Sequence, residues 1–163
     1  MKLLGAMLLL AASMLCGCMM AAKLRERVQL LQRLIRLTDA IITELQHNLP
    51  FIADLLPQLA AMPAFRSLHF LQIAAARADS FPESWQEAVN TDVALPQDVR
   101  EVLVTVGQTL GSTTLEGQVS ALRLCQQQLI TLRERAEELS RRKGGLFRSM
   151  GLLCGMFLVI LLL

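Results

Sequence analysis

The fold follows from one stretch of sequence, VQLLQRLIRLTDAIITELQHNL at residues 28–49. Its mostly apolar seam recurs at alternating steps of three and four, at Val28, Leu31, Ile35, Thr38, Ile42, Leu45 and Leu49. This spacing places one stripe of side chains on one face of a helix and is typical of helices that pack along a seam. Asn48 and Pro50 interrupt the pattern, because Pro is tolerated only in a helix's first turn. The stretch therefore predicts a long helix of about 25 residues.

A second seam of the same period lies over residues 115–143. Two sets of residues repeat at this spacing: Leu115, Leu122, Leu129 and Ala136, and Gln118, Cys125, Leu132 and Leu139. The first long helix begins, and the second ends, beside an apolar terminal run, so we expect the two to pack antiparallel. At about 1.5 Å per residue each reaches roughly 40 Å. The pattern predicts an all-α helical bundle with two long antiparallel helices and short distal helices.

The short helices lie between the two seams. Pro57 and Pro63 predict breaks that divide this part of the chain into short pieces. The run Ser80-Phe81-Pro82-Glu83 reads as a capping box that opens a helix around Trp85. Another helix is predicted over residues 97–110, and Trp85 is interpreted as an anchor of the core. The residues expected to supply the buried faces before it are Phe51, Ile52, Leu55, Leu59, Phe65, Leu68, Leu71 and Ile73.

Both ends of the chain are apolar and carry basic residues on their inner side. Residues 3–22 and 149–163 hold no charged side chain. About 20 apolar residues span a bilayer as a helix, and adjacent basic residues tend to remain in the cytoplasm. We therefore predict transmembrane helices at 1–22 and 149–163 around a cytoplasmic helical domain at 23–148. The membrane-proximal basic residues are Lys23, Arg25, Arg27, Arg141, Arg142, Lys143 and Arg148.

Small residues recur four apart inside both predicted spans. They are Ser13, Gly17 and Ala21 in the first span and Gly151 and Gly155 in the second. Small residues at this spacing let helix backbones approach closely in a membrane. These five positions are candidates for helix packing. An equally good interpretation is that they are ordinary residues of a membrane span with no packing role.

The charge is distributed unevenly along the chain. Residues 37–132 contain four arginines and ten acidic side chains, a net charge of −6, although the whole chain has a net charge of +2. An acidic body disfavours nucleic acid, whose phosphates require Lys and Arg. The acidic residues interpreted as a candidate partner-docking surface are Asp54, Asp79, Glu83, Glu87, Asp92 and Asp98.

The sequence contains no pattern that favours catalysis. His47 and His69 are isolated, and neither has Cys, Asp or Glu at a recognised metal spacing. There is no phosphate-binding glycine loop and no nucleophile elbow. We predict a protein that is not an enzyme, with no catalytic residue, cofactor or metal. Cys125 lies on the second seam and is interpreted as a small buried hydrophobe.

The first apolar run has a second interpretation. Leu15-Cys16-Gly17-Cys18 resembles a lipobox, which would make the run a signal cleaved before Cys18. A lipid on Cys18 would then anchor an exported helical domain. The basic residues between Lys23 and Arg36 oppose export, because positive charge hinders translocation.

Several motifs together resemble the stage III sporulation protein AB family of endospore-forming bacteria. They are the opening Lys2-Leu3-Leu4-Gly5-Ala6, Arg25-Glu26-Arg27, residues 83–89 around Trp85, Leu110-Gly111 followed by Gln118, and the ending from Lys143 through Gly151 and Gly155 to Leu163. The resemblance covers nearly the whole chain. A Tyr expected after the first long helix is missing, and residues 57–63 match the pattern poorly.

The resemblance implies a function that the residues alone do not. Such proteins are similar to the cytoplasmic domains of inner-membrane platform proteins of type II secretion and type IV pilus machines. They belong to a set made in the mother cell and placed in the membrane around the forespore. There the set is expected to build a channel or secretion-like complex with a cytoplasmic ATPase. The implied partners are membrane lipids, the other channel proteins and this ATPase, and self-association into a homo-oligomer stays open.

Overall fold

The computed structural model describes the backbone of residues 2–47 and 51–162 and the side chains of residues 15, 18–47, 51–142 and 153. All secondary structure in these residues is helical, which confirms the predicted all-α class. A 3-10 turn at Ala78–Ser80 lies between the third and fourth helices. The helices are α1 (Lys2–His47), α2 (Ile52–Ala61), α3 (His69–Ala76), α4 (Glu83–Thr91), α5 (Gln97–Thr109) and α6 (Leu115–Leu162).

The chain divides into two compact units, and each long helix contributes to both. Residues 31–131 form one unit, here called the helical body, and residues 1–30 with 132–163 form the other. The helical body contains α2 to α5 entire, so the short helices and their charged residues belong to a single unit. The described part of α1 ends at His47, and the predicted interruption at Asn48 and Pro50 lies outside the described residues.

The buried stripe of α1 is wider than the predicted seam. Val28 and Ile35 are only half-buried, and the Thr38 hydroxyl donates to the Leu34 carbonyl at 2.8 Å, which satisfies it inside the core. A stripe wider than a heptad seam is the pattern of a helix that faces a globular core. The α1 residues buried in the helical body are Leu31, Leu34, Leu37, Thr38, Ile41, Ile42 and Leu45.

The second seam is confirmed in its middle and fails at its ends. Leu122, Cys125, Leu129 and Ala136 are buried, whereas Leu115 and Leu139 are exposed. Leu115 is the first residue of α6. A helical side chain normally lies over the preceding turn, and at this position no such turn exists. The helix continues without interruption to Leu162, so the two glycines at 144 and 145 do not end it.

Two predictions about α2 are wrong. Pro57 does not divide the chain, because it lies within α2 on the exposed face, and the helix ends only at Ala61, before Pro63. Phe51 was expected to be buried, but its side chain is 81% exposed. It precedes the first turn of the helix, outside the face formed by Leu55, Leu56 and Leu59.

The predicted capping box does not form. The Ser80 hydroxyl donates to the Arg77 carbonyl at 3.1 Å within the 3-10 turn, and Pro82 occupies the position before α4 without a side-chain cap. In a capping box the hydroxyl residue directly precedes the helix and the acid is the third helical residue, whereas Glu83 is the first residue of α4. The Phe81–Pro82 peptide bond is cis.

Trp85 joins α4 to α5. Its side chain is 1% exposed, and its indole Nε1–H donates to the Leu103 carbonyl at 2.8 Å. Phe70 and Phe81 meet the indole edge-on, with ring centroids 5.4 and 6.2 Å away. A Cβ at Gly107 would lie 2.7 Å from Nε1, so α5 approaches the indole at a position where only glycine fits. The prediction that Trp85 is a core anchor is confirmed.

The link between α5 and α6 is a tight turn that needs glycine. Leu110 has φ −64° and ψ 128°, and Gly111 follows with φ +79°. The Ser112 N–H donates to the Thr109 carbonyl at 3.3 Å. These are the features of a type II turn, whose third residue requires a positive φ. The turn reverses the chain into α6.

Among the residues that the structure describes, no helix has a stretch both long and apolar enough to cross a bilayer. The predicted spans at 1–22 and 149–163 fall largely on side chains outside that description, since only Leu15, residues 18–22 and Leu153 are described there.

We expect Gly107→Ala to lower the free energy of unfolding by about 1–3 kcal/mol, because the added methyl overlaps a packed indole. The measurement is thermal unfolding of the full chain in detergent micelles, followed by the fluorescence of its single tryptophan.

Gly117→Ala is the matched control. Gly117 lies in the first turn of α6, where the atoms nearest to an added Cβ belong to the exposed Thr113 and Thr114 side chains, at 3.0 Å or more. We expect no loss of stability there, since alanine favours helix by about 1 kcal/mol over glycine. Equal unfolding temperatures for wild type and Gly107→Ala would contradict the close approach.

Candidate docking surface

Three parts of the helical body meet at the end opposite the entry of α1. A Cβ at Gly111 would lie 3.5 Å from Ile52 Cδ1 and 3.9 Å from Phe81 Cδ1. The start of α2, the link before α4 and the turn after α5 are therefore neighbours. We call Phe51, Asp54, Asp79 and Glu83, which flank these contacts in the chain, the distal surface.

The distal surface combines acidic groups with one exposed aromatic ring. Asp54, Asp79 and Glu83 are exposed, and none has an ion pair with another described residue. Phe51 lies one helical turn before Asp54, whose N–H donates to the Phe51 carbonyl at 3.0 Å. An exposed aromatic side chain among charges is the chemistry of a protein contact, in which the ring is the apolar anchor. Sequence periodicity missed Phe51 because it placed this residue on the buried face.

The other three predicted docking acids lie elsewhere. Glu87 is exposed and pairs with Arg77 at 3.1 Å, and an exposed pair of this kind contributes little to stability. Asp98 is half-buried at the start of α5, with a carboxylate oxygen 3.1 Å from the Val99 N–H. Because α4 leads away from the distal surface and α5 returns to it, Asp98 belongs to the opposite end of this helix pair.

Asp92 is a structural residue, which corrects its prediction as part of an exposed surface. It is only 7% exposed, and its carboxylate accepts the Phe70 N–H at 3.0 Å and the Ala94 N–H at 2.9 Å. Arg100 donates to the carbonyls of Asp92 and Leu95 at 3.1 and 3.3 Å. These bonds fasten the start of α3 to the loop between α4 and α5, so the carboxylate is not available to a partner.

The described residues contain no group of three or more His, Cys, Asp and Glu side chains placed to hold a metal ion. His47 contacts the Thr43 carbonyl at 2.9 Å, and His69 is exposed. Burial raises the pKa of the Cys125 thiol to about 12, because a thiolate loses its hydration in the core.

The membrane-proximal candidates are described only in part. Lys23, Arg25, Arg27 and Arg141 are exposed, and Arg142 donates to Glu138 at 2.6 Å. Ala21 is buried, at 8% exposure. The side chains that lie outside the described residues are Ser13, Gly17, Lys143, Arg148, Gly151 and Gly155.

Comparison with known protein families identifies the family of this chain. The family model described as stage III sporulation protein AB matches residues 2–163. The chain belongs to this family. No curated protein and no solved structure matches it. Family membership makes this a sporulation-related protein and confirms the resemblance carried by residues such as Trp85, Leu110 and Gly111.

We expect Asp92→Ala to destabilise this member of the stage III sporulation protein AB family by about 1–3 kcal/mol, because it leaves two backbone N–H groups without their acceptor. Asp79→Ala removes an exposed carboxylate that has no described partner and should change stability by less than about 0.5 kcal/mol. Denaturant unfolding of both variants measures the difference. Equal stabilities would contradict the structural role of Asp92.

Cys125 should be nearly inert in the folded chain. At pH 8 a thiol with a pKa of about 12 has roughly 1,000-fold less thiolate than one with an ordinary pKa of 9.0. A variant with Ser at the other three cysteines should therefore react with iodoacetamide about 1,000-fold more slowly when folded than in denaturant. Rates within tenfold of each other would mean that the thiol is exposed.

Proposed function

We propose that this protein is a non-enzymatic, membrane-anchored component of the sporulation channel between mother cell and forespore. It acts as a platform or adaptor, and its helical body docks the cytoplasmic ATPase of the channel set or another channel subunit. The observation that carries the proposal is the convergence of an exposed ring and three exposed carboxylates at one end of a small helical body. Family membership supplies the sporulation context.

The proposed placement is the mother-cell membrane around the forespore, with residues 23–148 in the mother-cell cytoplasm. The exposed Lys23, Arg25 and Arg141 support it, because basic residues that flank an apolar run interact with an anionic inner leaflet at about 1 kcal/mol each. In this placement the distal surface lies in the cytoplasm, where a cytosolic partner can reach it.

The distal surface predicts the charge of its partner. Three carboxylates without described counter-charges favour a basic face on the partner, and such complementarity acts mainly on the association rate and on specificity. Phe51 supplies the apolar contact that such charges lack. The partner is expected to offer a shallow apolar site ringed by Lys and Arg.

Charge reversal tests this assignment. Asp54→Lys, Asp79→Lys and Glu83→Lys together should weaken capture of the ATPase by at least tenfold, because each opposes a basic face on the partner. The measurement is co-purification from membranes in which both proteins are expressed.

The matched control reverses three other exposed acids, Asp39, Glu101 and Glu134, and changes the net charge equally. Capture should survive it. Loss in both triple variants would indicate non-specific attraction, and unchanged capture in the distal variant would remove the distal surface from the proposal.

The alternative is an exported lipoprotein anchored through Cys18, which is favoured by the lipobox-like residues 15–18 and by the exposed position of Cys18. Incorporation of radiolabelled palmitate that disappears in Cys18→Ser would establish it. Unlabelled protein of full length would leave the transmembrane proposal in place.

A further inference from the structure

One basic cluster lies at the end of the helical body where α1 enters. Arg33 Nη1 donates to Ser67 Oγ at 2.9 Å, which joins α1 to the loop between α2 and α3. Arg66 precedes Ser67 in the chain, and Arg36 follows Arg33 by one helical turn, on the same face of α1. We call Arg33, Arg36, Arg66 and Ser67 the basic patch.

The charge of the basic patch is not compensated within the described residues. None of its three guanidinium groups has an ion pair there. The helical body contains ten acidic and six basic side chains, a net charge of −4, and half of those six bases lie in this patch. Arg33 and Arg36 are like charges one turn apart, an arrangement that weakens a helix. An unpaired basic cluster in an otherwise acidic unit indicates that a ligand from outside the helical body supplies its negative counter-charge.

The chemistry of the patch favours a carboxylate-bearing ligand. A guanidinium presents its N–H donors in a planar fork that matches carboxylate or phosphate, and the Ser67 hydroxyl adds a further polar group beside it. The bond between Arg33 and Ser67 holds the guanidinium in place before any ligand arrives. Less side-chain freedom is then lost on binding.

Distance along α1 argues against a lipid ligand in the proposed placement. Arg33 follows Lys23 by ten residues, which is about 15 Å of helix. The attraction of a charged surface is screened over about 8 Å at physiological salt. The basic residues next to the apolar run are therefore close enough to interact with lipid headgroups. The basic patch lies farther from the headgroups than the screening length.

We infer that the basic patch binds an acidic segment of a partner protein, rich in Asp and Glu. This is a second docking surface, opposite in charge to the distal surface and at the other end of the helical body. A chain with both surfaces can hold two partners at once, one basic and one acidic. The inference does not depend on whether the distal surface docks the ATPase.

The test uses the full chain in detergent micelles and a short fluorescein-labelled polyglutamate peptide, with binding followed by fluorescence anisotropy. Arg33→Gln with Arg66→Gln should weaken binding by about tenfold or more, because two charge-assisted contacts are lost. Arg33→Lys with Arg66→Lys keeps the positive charge and loses the planar set of guanidinium N–H donors, so it should retain part of the affinity for the peptide. Circular dichroism checks that every variant is folded.

Arg123→Gln with Arg135→Gln is the control, since it removes two exposed charges of α6 outside the patch. It should bind the peptide as wild type does. An equal loss in this control, or no loss in Arg33→Gln with Arg66→Gln, would overturn the inference. Displacement of the peptide by inorganic phosphate, where chloride at equal ionic strength displaces none, would assign the patch to a small oxyanion and overturn it as well.

Discussion

The arrangement of the helical body depends on the space that Gly107 leaves for the indole of Trp85. Because α5 has no side chain at this position, α4 can approach until the indole N–H reaches the Leu103 carbonyl, 2.8 Å away. Phe70 and Phe81 then pack edge-on against the same ring, which links α3 and the turn before α4 to the pair. A single buried side chain thereby sets the position of several short helices that would be too short to be stable alone.

This packing also separates the charges of the body into two ends. At one end Phe81 and Ile52 meet the turn at Gly111, and exposed carboxylates surround an exposed Phe51. At the other end Asp92 is used internally, while Arg33 and Arg66 remain at the surface beside Ser67. A small net charge on the whole chain, +2, conceals this division. In the proposed adaptor role, opposite charges at the two surfaces would each favour one partner and disfavour the other.

The sequence predicted the features that depend on local periodicity. The two long helices and the buried Leu122 and Leu129 follow from repeated apolar positions. The features that depend on contacts between distant residues could not be predicted. Asp92 resembles any surface acid until the Phe70 N–H is placed next to it, and nothing in the sequence near Gly107 reveals the indole from a different helix. Phe51 was misplaced because an apolar residue at a helix start fits the periodicity without lying on the packed face.

The proposed function requires the helical body to lie in the mother-cell cytoplasm, and the most direct measurement is the accessibility of a single cysteine there. Asn90 is exposed on α4, so Asn90→Cys in a chain that keeps the buried Cys125 and has Ser at its other native cysteines reports on the body without disturbing the core. A thiol reagent that does not cross membranes should label this cysteine only after the cells are opened. Labelling in intact cells would place the body outside the cytoplasm and contradict the proposal.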